Sequence, residues 1–488
     1  MTFPENHRIK DAGAVYDAAP AHYFSIGKKA VFMSKSHAVD MTTGPILPKV
    51  VMFVLPLMAS SVLQLLFNAA DVMVVGKFAG SLALAAVGSN GSLINLLVNV
   101  FISLSVGVNV LVARYFGSQE YSDLSKCVHS SIGISILLGI AVAIIGIVFS
   151  SPMLVLMQTD PEVLPLAALY LKIYFLGMPA TLVYNFGAAV LRAVGDTKRP
   201  LRFLMIAGII NVILNLILVV VFHLDVAGVA IATVVSQYVS AFLVIRCLMR
   251  ADSVYQLHLK SIRLHGTIIL QIVLIGVPAG LQSFFFSFSN VIIQSSVNSF
   301  GYVTMAANSA AGNLDGFIYV ALNSVYLAAL SFTSQNYGAK RLDRIKRLFF
   351  VCPFITLSIA AVICPLLYFF GPKLLSLYIS SSDPDRDAIL ATGMIRLKYL
   401  GLTYWLCGLM EVLTGFLRGL GKTWMPMIVS VFGACIFRVV WIYTVFAAQP
   451  SLEVLYLSYP ISWIITPLVH TIVLIVTFRQ KSKMMFST

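Results

Sequence analysis

The chain repeats itself at half its length, and any fold it adopts must accommodate two copies of one pattern. Leu191-Arg192-Ala193-Val194-Gly195-Asp196-Thr197-Lys198-Arg199-Pro200 returns as Leu417-Arg418-Gly419-Leu420-Gly421-Lys422-Thr423-Trp424-Met425-Pro426, a shift of 226 positions (191 to 417). Pro56 and Asn68 are echoed by Pro278 and Asn290 at a shift of 222 (56 to 278). Gly117 in Tyr115-Phe116-Gly117 aligns with Gly338 in Asn336-Tyr337-Gly338 at a shift of 221 (117 to 338). Three landmarks in one order at nearly one offset define an internal duplication. In a strongly apolar chain, such a duplication points to two lobes around a central path.

The apolar character decides the class. Hydrophobic residues make up 59% of the 488 positions and charged residues 11%, whereas a soluble domain carries about 25% charged residues. Mean hydropathy is +0.92. The chain therefore reads as all-α and multispanning in a lipid bilayer. A net charge of +14 is then loop charge that orients helices, not a nucleic-acid surface. The six cysteines form no CxxC pair and read as small buried hydrophobes.

Runs of roughly 20 apolar residues cross a bilayer. They occur near 48–75, 84–113, 128–150, 164–190, 201–222 and 227–248, and again near 268–297, 304–334, 348–370, 389–416, 425–447 and 454–478. Twelve spans divide into a six-helix N-lobe (46–250) and a six-helix C-lobe (268–480), joined by a linker (251–267). Tails at 1–45 and 481–488 complete the chain. Residues 1–40 contain no run long enough for a signal peptide, and Met33 offers an alternative start. Six spans per lobe is even, so the lobes are expected as parallel repeats about an axis along the membrane normal. Connections after even-numbered spans, with the C-terminal tail, hold twenty Lys and Arg. Those after odd-numbered spans hold three: Lys77, Lys373 and Arg386. That bias places both termini and the linker in the cytoplasm.

Ionisable side chains within hydrocarbon are costly and few. Asp71 lies late in the first span, with Asn68 one turn before it on the same face and Pro56 fifteen residues earlier. Proline removes a helical hydrogen bond and can hinge a span. A carboxylate above such a hinge suits a group whose charge changes helix shape; the alternative is an interfacial Asp reaching water. Asn211 and Asn215 share a face of the fifth span and Thr233 lies in the sixth, either as an ion's polar shell or as packing between helices. In the second half, Glu411 and Arg438 stand at comparable depth and are expected to form a buried ion pair, the alternative being a substrate site in the second lobe. Asp315 reads as an interfacial residue near the outer end of the eighth span. Phe284, Phe285 and Phe286 on the seventh span would line a path for flat organic cations or face lipid.

These residues carry a resemblance. The segment Asn68-x-x-Asp71 ending at Gly76, the segment Arg192-x-x-Gly195-Asp196-Thr197-x-x-Pro200, Asn211-x-x-x-Asn215, and Gly228-Val229-Ala230-Ile231-Ala232-Thr233 occur in an order similar to the multidrug and toxic compound extrusion (MATE) family, over roughly residues 40–480. The resemblance implies twelve helices in two lobes facing each other as a V around a central cavity. It implies export of organic, often cationic, compounds across a bacterial cytoplasmic (inner) membrane against inward H⁺ or Na⁺. In the proton-linked bacterial and archaeal branch, the residues matching Asp71 and Pro56 are the coupling group and the bend, and Asn211 and Thr233 match its polar surroundings. The chain departs from that branch at Asn215, where an Asp is common. It departs from the sodium-linked branch at Phe284-Phe285-Phe286-Ser287, the region where an acidic residue is typical.

The expected mechanism places H⁺, or Na⁺ as a metal ion, on Asp71, with Asn68, Asn211, Asn215 and Thr233 around it. An ordinary Asp titrates near about 3.9, so a proton-carrying Asp works near neutral pH only in a desolvated setting. Each charge entering down the membrane potential supplies about 2.3 kcal/mol per 100 mV. Neutralising Asp71 would bend the first span at Pro56 and expel the drug outward. No cofactor is needed and one chain suffices. A flippase for a lipid-linked or other amphipathic substrate is the alternative, but it requires a cationic cavity, for which Arg438 and Lys172 are the candidates. ATP-driven transport is disfavoured because no GxxxxGK[ST] occurs. Enzyme chemistry is disfavoured because the eight histidines are scattered.

Overall fold

Each apolar run folds as a helix, because in lipid a spanning segment must satisfy its backbone groups internally. The computed structural model describes residues 39–486 other than 158, 252 and 380–383. The N-lobe comprises α1 (Ile46–Val74, continued by a π-helical turn Val75–Ala79), α2 (Gly80–Ser103 and Ser105–Ser118), α3 (Tyr121–Leu156), α4 (Leu164–Leu176 and Met178–Ala193), α5 (Lys198–Asn215, continued by a π-helical turn Leu216–Val221) and α6 (Asp225–Met249). The C-lobe comprises α7 (Gly266–Asn298), α8 (Tyr302–Gly338), α9 (Leu342–Phe369), α10 (Arg386–Tyr399 and Tyr404–Gly419), α11 (Trp424–Phe446) and α12 (Leu452–Phe486). Among the described residues, eleven helices are long and apolar enough to cross a membrane, and the two halves of α4, bent by 46°, make a twelfth. The spans match the twelve apolar runs within a few residues at most boundaries. Residues 1–38, including Met33, lie outside the described residues.

The duplication is written into the backbone. Left-handed residues recur in pairs: Gly80 with Gly301, Gln119 with Lys340, and Gly195 with Gly421. Gly195 and Gly421 turn the chain at the ends of α4 and α10, the two copies of the repeated motif. In the first copy Asp196 accepts the backbone N–H of Arg199 at 3.1 Å and pairs with its guanidinium at 3.2 Å, capping the start of α5. In the second copy Lys422 replaces Asp196, and Thr423 donates to the Leu274 carbonyl of α7 at 3.3 Å.

The lobes meet where α2 crosses α8. A Cβ on Gly117 would lie 2.0 Å from the Gln335 carbonyl oxygen, and one on Gly338 would lie 2.1 Å from the Arg114 carbonyl oxygen. These are the two glycines aligned by the repeat. Only hydrogen at both positions allows the backbones to touch. The crossing lies at the end of the molecule that carries the basic connections.

Packing cuts across the chain-order boundary between the lobes. Ile46, Val50, Phe53, Val54 and Leu57 of α1 are buried in a cluster with Val325 and Phe332 of α8, Ile345 and Cys352 of α9, and Phe416 of α10. From Met58 to Met73 no residue of α1 is buried; at Val74 and Val75 the helix enters an N-lobe cluster with Tyr170 and Val229. Pro56 therefore marks the place where α1 leaves the C-lobe core. Helix α7 repeats the plan: Ile268 and Ile272 lie in an N-lobe cluster, whereas Ile293 and Val297 lie in a C-lobe cluster. Pro278 falls between. Each lobe's first helix is rooted in the other lobe.

The segments leading into these helices are docked as well. Residues 39–45, assigned from sequence to a tail, contact α8 and α9 through Gln335, Asn336 and Arg344. The linker contacts α3: the His258 backbone N–H donates to His129 Nε2 at 3.0 Å, and the Ser130 hydroxyl donates to the Arg263 carbonyl at 3.1 Å.

Candidate functional site

The N-lobe site begins with a missing side chain. At Gly208 of α5 a Cβ would fall 1.9 Å from the Phe67 ring of α1, so the ring occupies the notch and locks the register of the two helices. One turn beyond Phe67 is Asp71; two turns beyond Gly208 is Asn215. There Asn215 Nδ2 donates to Asp71 Oδ1 at 2.5 Å. The same amide reaches Asn211 Oδ1 at 3.4 Å, and Asn211 Nδ2 reaches Thr233 Oγ1 of α6 at 3.5 Å. The Thr233 hydroxyl donates in turn to the Val229 carbonyl at 2.9 Å. Four of the sequence-selected residues thus form one string across three helices.

The string is shielded but not sealed. Asn211 and Asn215 are buried, and Asp71 and Thr233 are half-buried. Asn215 Oδ1 is buried without a hydrogen-bond partner among the described residues, leaving an acceptor beside the carboxylate. Tyr170 of α4 is buried in the same cluster as Val74 and Val75, one turn beyond Asp71. The π-helical turns that follow α1 and α5 flank the site and touch each other; such turns break the regular hydrogen-bond ladder and cluster at functional sites. Asn68 does not join the string. It is exposed, because the α1 face that meets α5 carries Phe67 and Asp71.

The C-lobe corrects two expectations. Glu411 and Arg438 form no ion pair. Arg438 sits on a face of α11 turned toward α12, where Nε donates to Ser462 Oγ at 2.9 Å and the guanidinium covers the Tyr459 ring at 4.0 Å. Trp463, edge to face with Tyr459 at 5.5 Å, lies beside it at 5.4 Å from the guanidinium. Aromatic faces thus share the stabilisation expected from a carboxylate. Glu411 is half-buried, and Arg418, two turns below it, is occupied by Tyr326 Oη at 2.6 Å and Gln282 Oε1 at 2.9 Å.

Asp315, expected at the interface, is instead buried, and Arg396 Nε of α10 donates to its Oδ2 at 2.9 Å. Arg396 Nη1 also donates to Asn308 Oδ1 at 2.5 Å, an oxygen that Tyr456 Oη reaches at 3.0 Å. Asn308 in turn donates to Gln294 at 2.8 Å. Sequence reading missed Arg396 because it lies in the polar first turns of its span, between Gly393 and Lys398. Its signal was the unmatched charge of Asp315.

Phe284 and Phe285 are partly exposed and meet edge to face, with centroids 5.7 Å apart. Phe286 packs instead beside the cluster of Ile293, Tyr459 and Trp463. No group of three or more His, Cys, Asp or Glu side chains is placed to hold a metal among the described residues. The six cysteines are free, and five are buried.

The architecture and the sequence both have counterparts among known proteins. The MatE family model matches residues 56–217 and again 278–444, the two halves of the repeat. The probable multidrug resistance protein YoeA of Bacillus subtilis is 28% identical over 395 residues, covering 78% of this chain and 83% of its own length. The multidrug export protein MepA of Staphylococcus aureus (strain MSSA476) is 24% identical, covering 79% and 85%. A solved outward-facing multidrug resistance MATE family transporter of the MOP superfamily superposes with a TM-score of 0.85 at 20% identity, covering 92% of this chain and 99% of that one. A MOP superfamily transporter from Pyrococcus furiosus, whose binding pocket is described as having reverse polarity, superposes at 0.80 with 20% identity, covering 91% and 96%.

Proposed function

The chain belongs to the MatE family, and on that footing we propose that it is a secondary active multidrug exporter. It moves organic, often cationic, compounds out of a bacterial cell across the cytoplasmic membrane, against inward H⁺, by alternating access of the path between the lobes. The basic end of the molecule, with both termini, faces the cytoplasm. A single chain carries out the cycle.

The observation that carries this reading is the Asp71–Asn215–Asn211–Thr233 string. It puts one carboxylate, half-shielded from water, at the outer end of a helix whose inner end is rooted in the opposite lobe. Between those ends lies Pro56. Charging or neutralising Asp71 changes its bond to Asn215 and so the hold of α5 on the outer part of α1. The root up to Val54 stays fixed, and the helix flexes at Pro56. H⁺ is favoured over Na⁺ because Asp71 is the one carboxylate of the string, and a protonated Asp71 gains a hydroxyl that the free acceptor Asn215 Oδ1 can take up.

The test is efflux of a fluorescent organic cation from proteoliposomes, with proton and sodium gradients imposed separately. Efflux driven by the proton gradient alone is expected. Efflux driven only by sodium would replace the ion but keep the exporter, and efflux under neither gradient would overturn the reading.

A further inference from the structure

We propose that Arg344 is a positioning residue of the transport cycle, clasping the segment that leads into α1 and so setting how readily the lobes part at the basic end. The proposal deepens the exporter reading and rests on alternating access.

Arg344 stands one turn into α9. Its Nη1 donates to the Gly44 carbonyl at 2.8 Å, and Nη2 donates to the carbonyls of Met41 at 3.2 Å and Thr43 at 3.0 Å. The residue is 7% exposed, and no carboxylate lies within ion-pairing distance among the described residues. The two terminal nitrogens of an almost buried guanidinium thus donate to three carbonyls of one short stretch of main chain, and Nε has no partner among the described residues. Lys49 holds the same stretch from the other side, donating to the carbonyls of Asp40 and Thr43 at 2.5 and 2.8 Å.

The location makes the clasp more than a local brace. Gln335 Oε1 accepts the Met41 N–H at 2.9 Å, Gln335 Nε2 donates to the Ala193 carbonyl of the N-lobe at 3.2 Å, and Asn336 Nδ2 donates to the Met41 carbonyl at 3.1 Å. Met41 itself is fully buried. The Val39 carbonyl lies against Gly195, where a Cβ would come within 2.3 Å of it. The lead segment is therefore wedged between the N-lobe turn at 193–195 and C-lobe helices α8 and α9. It is bonded to Gln335, whose carbonyl forms the Gly117 crossing. Parting α2 from α8 pulls on this wedge, and Arg344 supplies the largest single set of side-chain bonds that holds it to the C-lobe.

The experiment uses the full-length protein in inside-out vesicles, with Ser118→Cys at the crossing as a reporter for a membrane-impermeant maleimide. The chain lacking that cysteine supplies the background from Cys247. Arg344→Ala is expected to raise the labelling rate about tenfold, within the range of typical conformational couplings, and to slow uphill efflux while leaving drug affinity in place. Arg344→Lys, which keeps the charge but cannot fork onto three carbonyls, is expected to label at an intermediate rate. It serves as the test should the alanine variant fail to fold. Wild-type labelling in a folded Arg344→Ala or Arg344→Lys protein would overturn the proposal, whatever its thermal stability. Labelling requires no drug and no ion gradient, so a failed exporter reading and a failed clasp give different results.

Discussion

Asn215 donates to Asp71 at 2.5 Å, and that bond ties α5 to α1 fourteen residues (57 to 71) beyond Leu57, the last α1 residue buried in the C-lobe core, which is followed by no buried residue until Val74. The unburied stretch in between makes α1 a lever with a fixed root and a switchable tip. Pro56, which offers no N–H to the Met52 carbonyl, sits at the root's edge, and the Ser60 hydroxyl bonds its carbonyl at 2.8 Å. In this geometry a change at one carboxylate reaches the contact between lobes through a single helix.

Pro56→Ala should restore the missing helical hydrogen bond and relieve a cost of about 3 kcal/mol for proline in a helix interior. The variant is expected to be at least as thermally stable as wild type and to transport more slowly. Equal transport rates in the two proteins would show that α1 does not hinge there.

The buried pair should behave unlike the unpaired acid. Asp315→Asn or Arg396→Gln leaves one uncompensated charge in the C-lobe and should cost about 3–5 kcal/mol, visible as a lower melting temperature in detergent. Glu411→Gln removes no ion pair and should leave the melting temperature close to wild type. Similar losses from Asp315→Asn and Glu411→Gln would contradict the assignment of Arg396 as the partner of Asp315.

The twelve spans, their halves and the basic end were legible because lipid allows a spanning chain few choices: long apolar runs become helices, and charge is confined to connections. The Asp71 string was legible for a related reason. Asn211 and Asn215 lie one helical turn apart, and polar groups in an apolar span need partners. What could not be read was direction around each helix. Arg438 turns toward Tyr459 rather than Glu411, and Asn68 turns outward although it lies one turn from Asp71. Those outcomes depend on which neighbour packs where, as with the Phe67 ring in the Gly208 notch. The rooting of α1 in the C-lobe core was hidden for the same reason: Val50, Phe53 and Leu57 have suitable spacing for a buried face, but nothing in that spacing names the lobe that receives it.

Substituting Gly117 by alanine forces a methyl group onto the Gln335 carbonyl. Overpacking of this kind costs about 1–3 kcal/mol, and Gly338→Ala should match it through the Arg114 carbonyl. Melting temperatures of the two single variants should fall together, and the double variant should lose less than the sum of the two, since one displacement relieves both clashes. Full additivity would indicate that the two glycines do not share a crossing.

The lead segment should be insensitive to pH across the working range. Burial pushes the Asp40 carboxyl up, but hydrogen bonds from Thr42 and Thr43 outweigh it and hold the group below the usual carboxylate range. A lowered folded-state value means that this contribution is present above the unfolded value of about 3.9 and is lost as pH falls through the lower folded value. Labelling of Ser118→Cys in detergent, corrected for reagent reactivity, is therefore expected to be flat from about pH 5.5 to 8. A change in that window traceable to Asp40, abolished by Asp40→Asn, would reverse the sign assigned here.

The central claim is that Asp71 couples ion entry to drug exit. Its most direct test compares wild type with Asp71→Asn in proteoliposomes, measuring uphill efflux of a fluorescent organic cation under a proton gradient and, in parallel, drug binding. The account predicts that the folded variant still binds drug but accumulates none against its gradient, because the neutral amide cannot exchange a proton. Uphill transport by the variant at the wild-type rate would contradict it and move coupling away from the N-lobe string.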